Sequence, residues 1–429
     1  MGTAADSAYL NVWVHYDYMV APDHSDAPDP AAIQMVVDAF KTHGVTLHID
    51  PQHTAIPAHT VIVPDWPSNY ASQPGFDDPA CTGPDAVLFS TLERQYFHPN
   101  SNHPWHYGVF GDYVYTDGLV DSVNCPPTAE TGGVRPTPGM SGVSQLGFQE
   151  VFGGLAYRFV VALQGFRDAG IDPDAPENAR YEAATFMHEL GHNLALCHGG
   201  PIALGCPVGG ESNPAYGNYK PNYISVMNYA FNFGIPYATS AGSTTIAGWR
   251  VDYSDVQLPD LDESCLDETV GLQDATHPTD ITHRYGSIGG LLPVLGPIDW
   301  NHDGNTTGTC LSIDLNGDLA RTTLSGADDW AWLQSRLTPP AVTNLAADSP
   351  TKVGTDIAIY GVNLMLPATV IFAGGASTVV AGNQTNFHYD MSPNTAFAVT
   401  VPAGAKSGPV IVVTPEGKAT SSQSLTITP

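Results

Sequence analysis

The first fifty residues carry two periodicities in turn. Leu10, Val12 and Val14 recur every second position, as on a half-buried strand. Asp29 and Pro30 then open a stretch in which Ile33, Val36, Val37 and Phe40 fall at i, i+3, i+4 and i+7. That spacing predicts a helix with Asp29 as its N-cap, Pro30 in its first turn and Gly44 ending it. Val45, Leu47 and Ile49 return to period two. A strand, helix, strand start predicts a mixed α/β layer with a right-handed crossover. Further strands are expected over residues 106–115 and 158–163, and loop over 64–84. A strong helix is expected over 178–194, where Ala183, Ala184, Met187, Leu190 and Leu194 supply the apolar positions. Residues 199–219 are rich in Gly and Pro and read as loop. Trp330, Trp332 and Leu333 mark a last helix near 327–336.

The texture changes after Leu337-Thr-Pro-Pro-Ala341, which breaks any helix and reads as a linker. Short alternating runs follow at 356–360, 369–372, 396–401, 410–414 and 424–428, with turn residues such as Gly374-Gly375 between them. This rhythm predicts a small β-sandwich. The chain thus divides into an α+β domain over 1–338 and an all-β domain over 339–429.

Composition narrows the partners. The 43 acidic residues face 14 basic ones, a formal net charge of -29. A chain so acidic and Lys-poor is a poor polyanion binder, so nucleic acid and anionic membrane are set aside as partners. No apolar run is long enough for a membrane span, so no membrane insertion is expected. The opening Met1-Gly-Thr-Ala-Ala-Asp6 has neither a basic nor an apolar segment, so a secretion signal, if there was one, has been removed. The six cysteines, Cys81, Cys125, Cys197, Cys206, Cys265 and Cys310, form no CxxC pair. In this composition they read as disulfides of a secreted protein, with buried thiols as the other reading. Pairing of sequence neighbours is expected: Cys81–Cys125, Cys197–Cys206 and Cys265–Cys310.

The chemistry concentrates in Thr185-Phe-Met-His188-Glu189-Leu-Gly-His192-Asn-Leu-Ala-Leu-Cys-His198. On a helix, His188 and His192 share a face one turn apart and can bind one Zn²⁺. Glu189, beside the first ligand, can act on a zinc-bound water without occupying the metal. His198 can return as a third ligand if the chain turns sharply. Three protein ligands leave a position for water, which marks a catalytic site rather than a structural one. From composition alone, such a four-residue match would arise in roughly five of ten thousand chains.

Ser225-Val-Met227-Asn-Tyr229 follows, with Met227 29 residues beyond His198. HExxHxxxxxH plus a Met-containing turn resembles the metzincin zinc endopeptidases, in a secreted microbial form. The resemblance runs from Tyr181 to Tyr229. It implies that His188, His192 and His198 hold zinc, that Glu189 is the general base, and that Met227 floors the site without ligating. Tyr229 then either approaches the metal or oxyanion, or packs as a plain aromatic. One departure is Ala195, three residues after the second His, where the family usually has Gly. Protein or peptide substrates are implied, lying extended along a sheet edge near residues 139–147, and the molecule is expected to work as a monomer. Ile357-Ala-Ile-Tyr-Gly-Val-Asn-Leu and Gly408-Pro-Val-Ile-Val-Val in the second domain resemble a TIG-type immunoglobulin-like module.

Asp299-Trp-Asn301-His-Asp303-Gly304-Asn305 places side-chain oxygens at alternate positions and Gly at the sixth, as in a loop that wraps Ca²⁺. Asp314, Asn316 and Asp318 are candidates to complete the shell; a pair of solvated Asx turns is the other reading. Asp260, Asp262 and Glu263 read as solvated surface. Asn305 and Asn383 open glycosylation sequons. The expected function is a secreted zinc endopeptidase. Its competitors are an adhesion protein with a vestigial zinc site and a peptidase restricted to glycoproteins.

Overall fold

The structure is a computed structural model. It describes residues 10–59, 61–64, 86–98, 105–114, 141–145, 157–173, 175–201, 217–283, 290–336, 340–362, 364, 368–380, 394–414 and 417–428. The expected loop over 64–84 falls almost wholly outside these residues, as do Cys81, Cys125, Cys206 and Asn383.

The N-terminal part is a mixed α/β layer. Its strands are β1 (Asn11–Val20), β2 (Thr46–Ile49), β3 (Ala55–Pro57), β4 (Val61–Val63), β5 (Ala86–Leu88), β6 (Trp105–Gly111), β7 (Tyr113–Val114), β8 (Gly142–Ser144) and β9 (Arg158–Ala162). The main sheet runs β2-β1-β6-β9-β8, with β3 also pairing the far half of β1. All its pairings are parallel except that of β8 with β9, so β8 is an antiparallel edge strand. A smaller parallel sheet runs β5-β4-β7.

The helices are α1 (Pro30–Thr42), α2 (Phe89–Tyr96), α3 (Gln164–Asp168), α4 (Ala179–Asn193) and α5 (Asp329–Arg336). Helix α1 starts where its cap predicts: the Asp29 carboxylate accepts from Ala31 N at 2.7 Å. Gly44 lies beyond its end at φ +74°. The alternation on β1 sets the two faces of the sheet. Val12, Val14 and Tyr16 pack with Val36 and Phe40 of α1 and Phe186, Met187 and Leu190 of α4. On the opposite face Met19, Tyr107, Val109 and Val160 pack with Phe89 and Leu92 of α2. Helix α4 is therefore laid on the sheet beside α1, with residues 182–193 all buried.

Past α4 the chain builds short two-stranded pairs around Trp300, Ile298, Leu292 and Leu315. Cys265 and Cys310 are disulfide-bonded there, as their sequence order predicts. The expectation for Glu263 is overturned, because it is fully buried and not solvated surface. Its two carboxylate oxygens accept from Leu315 N (2.5 Å) and Thr322 N (2.9 Å), and those bonds offset the cost of burying the charge. Its neighbour in sequence, Glu268, does the same for Asn301 N and Gly308 N.

Beyond residue 340 two antiparallel sheets share one core. One holds Ala341–Ala346, Asp356–Val362 and Asn394–Thr400. The other holds Ser377–Val380, Ala368–Ala373, Lys406–Thr414 and Gly417–Leu425. Ile357, Ile359, Phe397 and Val399 of the first meet Val370, Phe372, Val410 and Val412 of the second. None of the described helices is long and apolar enough to cross a membrane.

Candidate metal centre

His188 and His192 project from α4, and His198 comes back over them from the following turn. One ligand nitrogen of each lies within 4.8 Å of the others. His192 Nε2 and His198 Nε2 are 3.0 Å apart. A tetrahedral zinc with bonds of 2.0–2.1 Å would set its ligand nitrogens about 3.3 Å apart, so the spacing fits such an ion.

The tautomers fit as well. His188 Nδ1 donates to Val226 O at 2.7 Å, and His192 Nδ1 donates to Leu196 O at 2.9 Å. Both bonds commit the proton to Nδ1 and leave the Nε2 lone pair for a metal. Burial also disfavours the imidazolium form. It lowers the pKa of His188 to about 4 and holds His192 and His198 well below the usual histidine range. The rings are therefore neutral at pH 7, the form that ligates.

The sharp turn that returns His198 is built on strain. Ala195 sits at φ +67° and is fully buried. Leu196 N bonds Gly191 O (2.9 Å) and Ala195 N bonds His192 O (3.1 Å), the paired bonds of a Schellman helix end with Ala where Gly is usual. The same turn aims Leu196 O at His192. Cys197, next to His198, is disulfide-bonded and so is no thiolate ligand; its partner lies outside the described residues.

Met227 is fully buried in the core that carries α4. A Cβ at Gly191 would run into the Met227 sulfur and press on the Tyr253 ring, so any larger residue there forces these side chains to shift. Tyr229 packs at a tilt against His198 with ring centroids 4.1 Å apart and stacks on His188 at 5.7 Å. Its backbone N donates to Asn218 Oδ1 at 2.9 Å.

Glu189 faces a cleft of about 350 Å³ lined by Ser141, Gly142, His188, Tyr219, Tyr229 and Phe233, among others. Burial raises its pKa to about 8, against the opposing pull of a hydrogen bond from Ser144.

Sequence reasoning missed the supports of the site. Ser144 Oγ lies 2.8 Å from Glu189 Oε2. Buried Lys220 donates to Gly199 O (2.5 Å) and Ser325 O (2.6 Å), tying down the residue after His198. Asp329, at the start of α5, accepts from Tyr223, Ser225 and Ser254 N and so holds the loop that leads to Met227. The signal available for these was slight: one charged or hydroxyl residue in an otherwise apolar neighbourhood.

The other sites divide. Asp299 accepts from Asp303 N and Gly304 N, and Asp303 N also bonds Asn301 Oδ1. Asp314 accepts from Gly317 N and Leu319 N, and Asn316 Nδ2 bonds Asp318 Oδ2. Each loop thus turns around its own Asp. Among the described residues no three acidic side chains of the two loops converge into one shell. A second converging group, His24, Asp26 and Asp112, is charge-compensated. His24 bridges Asp23 (3.0 Å) and Asp112 (2.7 Å), and Arg167 bonds Asp26 at 2.7 Å.

No protein-family profile matches this chain, and no curated protein matches it in sequence. The three-histidine group, spaced as HExxHxxxxxH, is the chemistry on which a functional reading stands.

Proposed function

We propose that the chain is a secreted zinc endopeptidase of metzincin type, with a catalytic domain over 1–338 and a TIG-type immunoglobulin-like domain over 339–429. The observation that carries this reading is the convergence of three neutral imidazoles beside a buried carboxylate that opens onto a cleft. His188, His192 and His198 would hold the zinc. Zinc bound there supplies Lewis acidity and water of pKa near 7.

The chain's own residues do the rest. Glu189, which a cation beside it would hold ionised, takes a proton from water and returns it to the leaving amine. Tyr229, lining the same cleft, is positioned to bond a carbonyl oxygen as it gains charge, an interaction that helps only if it strengthens in the transition state. Edge strand β8 offers an unpaired side, among the described residues, for an extended peptide.

The test is metal analysis joined to digestion of a casein-type substrate. One zinc per chain, loss of cleavage with a chelator and return with zinc but not calcium alone are expected. Zinc bound without any cleavage, across a peptide library and a mucin-like glycoprotein, would instead favour the adhesion protein.

A further inference from the structure

Two residues of the edge strand meet the carboxylate of Glu189, and neither belongs to the motif. Gly142 and Ser144 are two apart on β8, so they share one face, and that face looks at α4. Ser144 is buried, and its Oγ lies 2.8 Å from Glu189 Oε2 and 2.6 Å from Glu189 O. One hydroxyl is therefore within hydrogen-bond reach of both the side chain and the backbone of the same residue, and its single proton is shared between them. At Gly142 a Cβ would stand 2.5 Å from Glu189 Oε1 and 2.7 Å from its Cγ. The missing side chain is the slot in which the carboxylate lies. Glu189 Oε1 has no hydrogen bond among the described residues, yet it is not one of the buried unsatisfied atoms, so it is the oxygen left to the cleft.

We propose that Ser144 is the positioning residue of Glu189: it ties back Oε2, while the gap at Gly142 lets Oε1 stand free toward the cleft to take the proton. A glutamate has three side-chain torsions, and without a fixed partner its carboxylate would sample directions that miss the water. The hydroxyl costs little to place, because β8 is held to β9 through Gly142↔Val161 and Ser144↔Phe159. The arrangement also ties the base, on α4, to the strand proposed to pair with substrate, so a peptide that adds to β8 stiffens the mount of the base as it binds.

This inference rests on the endopeptidase reading, and the experiment separates the two. Wild type, Ser144→Ala and Ser144→Thr are compared on one quenched peptide, with zinc content and melting temperature measured for each. The expected result for Ser144→Ala is a fall in kcat of about 10- to 100-fold with KM and zinc content unchanged. Ser144→Thr, which keeps the hydroxyl, is expected to restore most of kcat. A merely structural serine would move melting temperature and zinc content, not kcat alone. Wild-type kcat in Ser144→Ala, a change confined to KM, or a threonine variant as slow as alanine would each overturn the proposal. An inactive wild type would overturn the endopeptidase reading instead. Gly142→Ala gives a further check: the added methyl meets Glu189 and also the Val160 backbone carbonyl, so kcat should fall, and undiminished kcat there would count against the slot.

Discussion

Ala195 shows how much local strain one ligand turn carries. A left-handed φ costs a non-glycine residue about 1 kcal/mol or more. Here that cost falls on a buried residue whose turn aims Leu196 O at His192 and brings His198 back over the helix. Ala195→Gly relieves the strain but removes a buried methyl, so the two effects oppose. Ala195→Val is different, because a β-branched side chain is a severe outlier at this φ. We expect it to cost at least about 2 kcal/mol in denaturant unfolding and to weaken the metal site. Glu189 bears on turnover rather than assembly, since none of its atoms is among the converging ligand nitrogens. Glu189→Gln should therefore keep the metal, read by elemental analysis, and lose roughly 10³-fold or more in peptide turnover.

At the scale of elements, the long patterned segments were legible. The spacing of Ile33, Val36 and Phe40 with the cap at Asp29 predicts α1, and the observed helix is Pro30–Thr42. The helix expected over 178–194 is Ala179–Asn193. Within it the spacing of His188 and His192 reads directly as one face, whereas His198 lies past the helix end and its return depends on the turn at Ala195. The short alternating runs past residue 340 were legible as strands too. Strand β8 has three residues, too few for a period; the family resemblance put a sheet edge near residues 139–147, but nothing in the sequence showed that it lies against α4. Glu263 looked like surface because it follows an Asp; only the fold places the backbone amides of residues 315 and 322 around it. The Gly in the middle of the motif also acquires its reason only in three dimensions. Gly191→Ala would help an isolated helix but drives a methyl into Met227. We expect a loss of about 1–3 kcal/mol and reduced zinc occupancy, measured by thermal melts and metal titration.

For the whole molecule, two buried sets of groups at the candidate site contribute to the pH response of the metal-free protein near neutrality. Burial raises the carboxyl pKa of Asp329 to about 7 and that of Glu189 to about 8. The folded state therefore holds those protons more tightly than the unfolded chain, and the associated stability is lost as pH rises through 7 and 8. The buried histidines act oppositely. Their folded pKa lies below the ordinary 6.5, so stability is lost as pH falls below that value. The expected melting temperature peaks near pH 6.5 and declines on both sides, and Glu189→Gln flattens the alkaline limb. A flat profile from pH 6.5 to 8.5 in the wild type would refute this. The disulfide acts on a larger scale. Cys265–Cys310 closes a loop with a sequence separation of 45, for which chain entropy gives about 4 kcal/mol. Replacing both cysteines with Ala should cost stability of that order in chemical denaturation.

The enclosure of α4 has one last consequence. Residues 182–193 are buried between the sheet, α1 and the loop of Met227, and reach solvent only through the cleft at Thr185, His188 and Glu189. Local fraying is disfavoured in a segment packed on so many sides. Amide exchange along these turns should then require the domain to open as a whole. A helix held in this way keeps the His188 and His192 rings aimed at the cleft whether or not an ion is bound there.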